Sequence, residues 1–167
     1  DYDVVSIEEI DVENGSIYFI ASPDNPIQRY LYRIRISGRG RAERLTPAAQ
    51  PGWHSYQISP GADWAIHTYS RNGVPPVTDL VRLPGHERER VLAENTSLHE
   101  AVSKLDRRQT EFFRVEIEDG VKLDGYVIKP PDFDETAVYP VLFHVYTEPW
   151  GQTVQDRWGG SGYLWHL

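Results

Sequence analysis

A repeat of about 48 residues constrains the fold of this chain more than any other feature of its sequence. Three pairs of segments align at roughly that offset: 17–20 with 64–67, 31–34 with 79–82, and 43–45 with 89–92. Units of this length with several short strands are typical of β-propeller blades, because one small sheet cannot bury both of its faces unless it stacks on a neighbour. The sequence therefore predicts about two blades within residues 1–94, with the rest of the ring before Asp1.

A tight turn at Asn14-Gly15 marks the first hairpin of this repeat. Apolar residues alternate on both sides of the turn, and Asn-Gly suits a two-residue hairpin loop whose backbone needs positive φ. Further strands are predicted at 30–36, 55–59, 64–70 and 79–83. No convincing helical period occurs before residue 94, which makes this part of the chain all-β.

The pattern changes at Asn95. Asn95 or Thr96 can cap a short helix, since apolar residues recur at helical spacing from Leu98 to Leu105. We place a connecting helix and linker at 95–110. A second hairpin is then predicted around Asp119-Gly120, between strands at 113–117 and 121–128.

The segment 139–146 is apolar on both faces, as expected for a strand that helices cover on each side of a sheet. It predicts the start of an α/β core. In open α/β sheets functional groups collect beyond the carboxyl ends of the strands, and Tyr146 and the loop after it occupy that position.

Three groups of residues carry a resemblance to a known family. They are Leu31–Ile34 (LYRI) with Leu45-Thr46, Gly125–Asp134 (GYVIKPPDFD), and Tyr139–Val141 (YPV) leading to Val145–Pro149 (VYTEP). Together they resemble the dipeptidyl peptidase IV branch of the prolyl oligopeptidase family of serine peptidases. The resemblance implies the C-terminal blades of a β-propeller over 1–94, the connecting segment 95–110, and the N-terminal part of an α/β-hydrolase domain over 111–167.

The resemblance also implies a role for Tyr146. Its phenol O–H would stabilise the negative charge that develops on the carbonyl oxygen when a serine attacks a peptide. The alternative is an interior tyrosine whose hydroxyl a neighbour satisfies. The family commonly has two glycines after this tyrosine, whereas this chain has Thr147-Glu148. Glu148 and Trp150 are candidate substrate-binding residues, although Trp150 also fits a hydrophobic cover over the sheet.

By the family order, the nucleophile, acid and base of the catalytic triad would follow Leu167. We therefore expect part of a serine peptidase that cleaves short peptides after proline or alanine, with this segment alone inactive. One alternative is a non-catalytic propeller and hydrolase scaffold, and another is a carboxylesterase-type hydrolase. The resemblance further implies a homodimer of the parent protein, and a periplasmic or secreted location is favoured over the cytoplasm.

Other sites are disfavoured by residue type and spacing. The chain has no cysteine, so no thiolate site is expected. Its net charge is −8, and its one basic cluster, Arg33 to Arg44, alternates along a predicted strand and hairpin as a solvated face, so no nucleic-acid surface is expected. The six histidines lack zinc-binding spacing, so we expect no metal and no cofactor. His144 is predicted to pack beside the site. Ser161 lacks the second glycine of a nucleophile elbow and is predicted to be a loop or helix-start residue. No apolar run is long enough to cross a membrane.

Overall fold

A computed structural model describes residues 2–145, 148 and 151–167. Two four-stranded antiparallel sheets account for most of the described chain, in the orders β1-β2-β3-β4 and β5-β6-β7-β8. Their strands are β1 Val4–Asp11, β2 Ser16–Ala21, β3 Tyr30–Arg35, β4 Glu43–Arg44, β5 Trp53–Ile58, β6 Trp64–Arg71, β7 Val74–Arg82 and β8 Glu87–Ala93. Each sheet is a simple meander in which neighbours in sequence pair.

The repeat read from the sequence is confirmed by this strand order. Its three pairs of segments fall on corresponding strands of the two sheets, β2 with β6, β3 with β7 and β4 with β8. The hairpin around Asn14-Gly15 also forms, with Gly15 at a φ of +66°, but its loop has four residues rather than the predicted two, because Asp11 pairs with Ser16. Asn14 N–H donates to Oδ1 of Asp11 at 3.0 Å, which closes the turn.

The hydrophobic core lies between the two sheets. Leu31 of β3 and Val81 of β7 are fully buried, and both belong to one cluster. The other buried members are Tyr18, Ile20, Leu45, Tyr56, Ala62, Ala65 and Leu83. Because residues from both sheets alternate into this layer, the sheets stack as successive blades do.

Beyond β8 the chain forms α1 Thr96–Ser103, β9 Glu111–Glu116, β10 Lys122–Val127 and α2 Gly160–His166. The predicted helix and hairpin are thus confirmed. The predicted side-chain cap is not made, since Asn95 adopts a left-handed conformation with a φ of +52°. Its Nδ2 instead donates to the carbonyl of Pro76 at 2.7 Å, so a contact with β7 replaces the cap.

The strand predicted at 139–146 is absent from its described part. Residues 139–145 pair with no other strand of the described chain, and Leu142 and Phe143 are mostly exposed. A strand exists only when a neighbour accepts and donates its backbone hydrogen bonds, and β9 and β10 pair with each other alone. The described residues therefore do not form the predicted α/β-hydrolase core. None of their helices has the length and apolar character to span a membrane.

Candidate functional site

The residues predicted to form the catalytic loop fall largely outside the described part of the chain. Tyr146 and Trp150 are both outside it. Glu148 is exposed, and its carbonyl accepts a hydrogen bond from the N–H of Gly151 at 3.0 Å. The roles expected for these three residues stay predictions.

His144 lies two residues before Tyr146 in the sequence. It is exposed rather than packed, and its ring centre lies 6.2 Å from that of His166. Both histidines line a cavity of about 170 Å³ between the β6–β7 hairpin, β10 and the C-terminal segment. The other residues lining the cavity include Tyr126, Arg157 and Tyr163.

Asp156 is the centre of a polar cluster where the C-terminal segment meets both blades. Its carboxylate is buried, with Oδ2 accepting from Nε2 of Gln28 at 2.8 Å and Oδ1 accepting from the N–H of Asn72 at 3.0 Å. Arg71 Nε lies 3.6 Å from Oδ2. The backbone N–H of Asp156 donates to the carbonyl of Ile27 at 2.8 Å. Gln28 and Ile27 belong to the β2–β3 loop, whereas Asn72 lies in the β6–β7 hairpin.

Contacts on both sides of Asp156 extend this docking. Gln152 accepts a hydrogen bond from Arg29 and donates from Nε2 to the carbonyl of Pro26 at 2.6 Å. The N–H of Trp158 lies 3.3 Å from Oγ of Ser70. Residues 152–158 therefore run along the ends of corresponding hairpins in the two blades.

The helix α2 completes the docked segment. Arg107 donates to the hydroxyl of Tyr163 at 2.8 Å and to the carbonyl of Gly73 at 3.2 Å. Ser161 is the second residue of α2, as expected for a helix-start residue rather than a nucleophile. The tyrosine that replaces the second glycine of the elbow, Tyr163, is thus a buried contact to the linker and to the β6–β7 hairpin.

A buried histidine cluster lies between the blades and was not predicted. Nδ1 of His54 is 2.8 Å from Nε2 of His67, and Nε2 of His54 is 2.9 Å from the carbonyl of Gln50. Since a carbonyl can only accept, Nε2 of His54 carries a proton, and Nδ1 accepts from Nε2–H of His67. Both rings are neutral in this arrangement. The two nitrogens are hydrogen-bonded to each other and are not arranged around a shared ion.

The electrostatics of the cluster agree with neutral rings. Burial lowers the pKa of His54 to about 4, against a smaller opposing effect of the hydrogen bond to Gln50, while the neighbouring His86 and Arg44 lower it further. Burial also lowers the pKa of His67, with repulsion from His54 and His86 adding to the effect. The pKa of His86 is lowered by burial, against a smaller opposing effect of Asp79.

A chain of hydroxyl groups joins the cluster to the first blade. The hydroxyl of Tyr56 lies 2.8 Å from Nε2 of His86 and 2.9 Å from Oγ1 of Thr46. Thr46 Oγ1 in turn accepts from the N–H of Leu31 at 2.8 Å. All groups are satisfied when Thr46 donates to Tyr56 and Tyr56 donates to His86. Burial raises the pKa of Tyr56, so its proton is retained.

A signal for the histidine cluster was present in the sequence. Residues two apart in a strand share a face, which places His54 beside Tyr56 and His67 beside Tyr69. The hairpin register sets Tyr56 opposite His67. Searching for metal-binding spacing missed this pairing because the two histidines lie on different strands.

Comparisons with known proteins agree with the geometry. A family model described as the dipeptidyl peptidase IV (DPP IV) N-terminal region matches residues 1–76. A probable dipeptidyl-aminopeptidase B of Emericella nidulans is 33% identical over 150 residues, which are 89% of this chain and 16% of that protein. The corresponding protein of Neurospora crassa is 30% identical over 158 residues, 93% of this chain and 17% of that protein. The chain thus spans less than a fifth of these curated relatives.

The crystal structure of Porphyromonas gingivalis dipeptidyl peptidase 4 superposes with a TM-score of 0.84 and 28% identity over 98% of this chain and 23% of that one. The stacked four-stranded sheets define the chain as part of a β-propeller-like protein. Together these matches support a dipeptidyl peptidase IV-like fragment of the prolyl oligopeptidase family, as its sequence resemblance indicated.

Proposed function

We propose that this chain is the segment of a dipeptidyl peptidase IV-like serine peptidase that joins the last propeller blades to the start of the α/β-hydrolase domain. The proposed limits are 1–94 for the blades, 95–110 for the connection and 111–167 for the hydrolase part. The observation that carries the proposal is the docking of residues 152–163 on the hairpin ends of both blades. A segment of an unrelated domain would not be expected to form hydrogen bonds with two successive blades.

The proposed chemistry is acylation of a serine by a short peptide, cleaved after proline or alanine. The nucleophile, the acid and the base belong to parts of the protein after Leu167. Tyr146 donates its phenol O–H to the oxyanion, in a site where such a donor is worth about 3 to 4 kcal/mol. Glu148 and Trp150 contact the substrate. Since the triad is absent from it, this segment alone hydrolyses nothing.

The experiment is to express the full-length protein and the isolated segment, and to assay both on an aminoacyl-prolyl anilide and on a simple ester. A serine-reactive fluorophosphonate reports the nucleophile independently of the substrate. The peptidase proposal predicts labelling and anilide hydrolysis by the full-length protein and neither by the segment.

Each alternative gives a different result in the same experiment. A scaffold that lost its triad leaves the full-length protein unlabelled and inactive on both substrates. An esterase is labelled and cleaves the ester without cleaving the anilide. Either result would refute the proposed peptidase.

The parent protein is further proposed to form a homodimer and to act in the periplasm or outside the cell, without a cofactor. Light scattering of the purified full-length protein measures the first property. Cell fractionation against a cytoplasmic marker enzyme measures the second.

A further inference from the structure

We propose that Asp156 is a positioning residue of this peptidase, which holds the chain after the predicted catalytic loop in register with two propeller blades. The inference rests on the proposed function. It assigns a task in the reaction to a residue that contacts neither the substrate nor a predicted catalytic group. The contact of this segment with both blades, and not the hydrolase part alone, would then determine the geometry of the proposed active site.

Asp156 is suited to this task because its carboxylate has acceptor oxygens on both sides. Oδ2 faces the first blade through Gln28, and Oδ1 faces the second through Asn72. Both bonds are made to an ionisable acceptor inside the protein, where charge-assisted hydrogen bonds are stronger than neutral ones. A single carboxylate therefore fixes the position of the segment relative to both blades.

Gln28 is itself held in one orientation. Its Oε1 accepts from the hydroxyl of Tyr30, which leaves Nε2 directed at Asp156. An asparagine at 156 would place an N–H against one of the two donors unless its neighbours rearranged. The position thus discriminates between a carboxylate and an amide of the same size.

Contacts on both sides of Asp156 hold the rest of the segment in place. Gln152 is bonded to the β2–β3 loop and Tyr163 to Arg107 and thereby to the β6–β7 hairpin, so both ends of the segment are docked as well. A small displacement of groups that position a substrate can cost about 100-fold in rate. Loosening Asp156 is therefore expected to lower kcat without a comparable change in KM.

The test compares full-length variants at a temperature well below unfolding. Asp156→Ala, Gln28→Ala and the double variant are assayed on an aminoacyl-prolyl anilide, and kcat is divided by the active-site concentration from fluorophosphonate titration. We expect Asp156→Ala to lower kcat by about 10- to 100-fold, Gln28→Ala to lower it less, and the double variant to be no slower than Asp156→Ala. Asp134→Ala is the matched control, because Asp134 is exposed and bonds locally to Thr136.

The inference is overturned if Asp156→Ala has the parental kcat per active site. It is also overturned if the effects of Asp156→Ala and Gln28→Ala simply multiply, or if KM rises while kcat stays unchanged. Should Asp156→Ala not fold, Asp156→Asn and Gln28→Ala are judged by the same kcat criterion. An active parent with a full-rate Asp156 variant refutes the positioning role alone, whereas an inactive, unlabelled parent refutes the peptidase and this inference with it.

Discussion

Nδ1 of His54 accepts a hydrogen bond of 2.8 Å from Nε2–H of His67, in the layer where the two blades pack together. The carbonyl of Gln50 determines which nitrogen of His54 is protonated, and this choice fixes the direction of the bond to His67. A proton added to Nδ1 of His54 would face the N–H of His67. The packing of the blades is therefore linked to pH.

We expect the stability of the blade pair to fall as the solution becomes acidic. The ordinary histidine pKa is 6.5, and burial lowers that of His54 to about 4. Between these values the unfolded chain binds more protons than the folded one, so the free energy of unfolding decreases as pH falls. The contribution is complete above pH 6.5 and is lost towards pH 4, at about 1.4 kcal/mol for each pKa unit of separation.

The measurement is the urea midpoint of the full-length protein, followed by fluorescence at a series of pH values. His54→Gln removes one of three buried or half-buried histidines with lowered pKa and should make the profile less steep between pH 6.5 and 4, because His67 and His86 still titrate, whereas the exposed His166→Gln should leave the slope unchanged. Profiles of the parent and His54→Gln that run parallel across this range would contradict the prediction.

Tyr56→Phe should destabilise the blade pair. The change removes the hydroxyl between Thr46 and His86 and leaves the buried Thr46 hydroxyl and the half-buried His86 nitrogen without this partner, which costs about 1 to 3 kcal/mol. Tyr139→Phe is the control, since its hydroxyl accepts one bond from the N–H of Asp134 at an exposed site. Urea denaturation at pH 7 compares the two, and equal midpoints would show that the hydroxyl chain adds nothing to stability.

Gly52→Ala should destabilise the start of β5. Gly52 has a φ of +143°, and a Cβ there would lie 2.7 Å from the carbonyl oxygen of Ser70 and 2.7 Å from Cγ of Arg71. Backbone strain of this kind costs about 1 to 3 kcal/mol. Gly162→Ala in α2 meets no atom within 4 Å and has no positive φ, so it should be neutral or stabilising. Thermal unfolding of both variants tests the difference, and a Gly52→Ala protein as stable as the parent would exclude the clash.

Tyr146→Phe in the full-length protein should lower kcat by about 10²- to 10³-fold, because it removes one donor to the oxyanion. KM should change little, since the donor acts on charge that develops only in the transition state. Tyr139→Phe should retain the parental kcat. Steady-state kinetics on the aminoacyl-prolyl anilide give both constants, and a Tyr146→Phe enzyme with unchanged kcat would remove this residue from the proposed mechanism.

The blade architecture could be predicted from the sequence because its signals are local. The turn at Asn14-Gly15 and the alternation in β2 and β6 each require only neighbouring residues to interpret, and the repeat compares such local patterns along the chain. The predicted strand began at residue 79, whereas β7 runs from Val74 through Pro75 and Pro76, which locally disfavour a strand. Strand pairing with β6 there outweighed the local preference.

Local pattern was not enough for residues 139–145, whose apolar run predicted a strand. Apolar composition indicates that a segment can be buried, but a strand needs a partner with free backbone groups, and that depends on residues far away in the chain. The described chain offers none beside this segment. The site roles of Tyr146, Glu148 and Trp150 rest on the same unobserved arrangement.

The sequence by itself determined the repeat, the hairpins, the short helix and the family, because these depend on the order of side chains along the chain. Tertiary structure alone decided that His54 bonds to His67 across two strands, and that Asp156 joins Gln28 to Asn72 across two blades. Hydrogen bonds between distant residues depend on distance and direction in space, and spacing along the chain encodes neither.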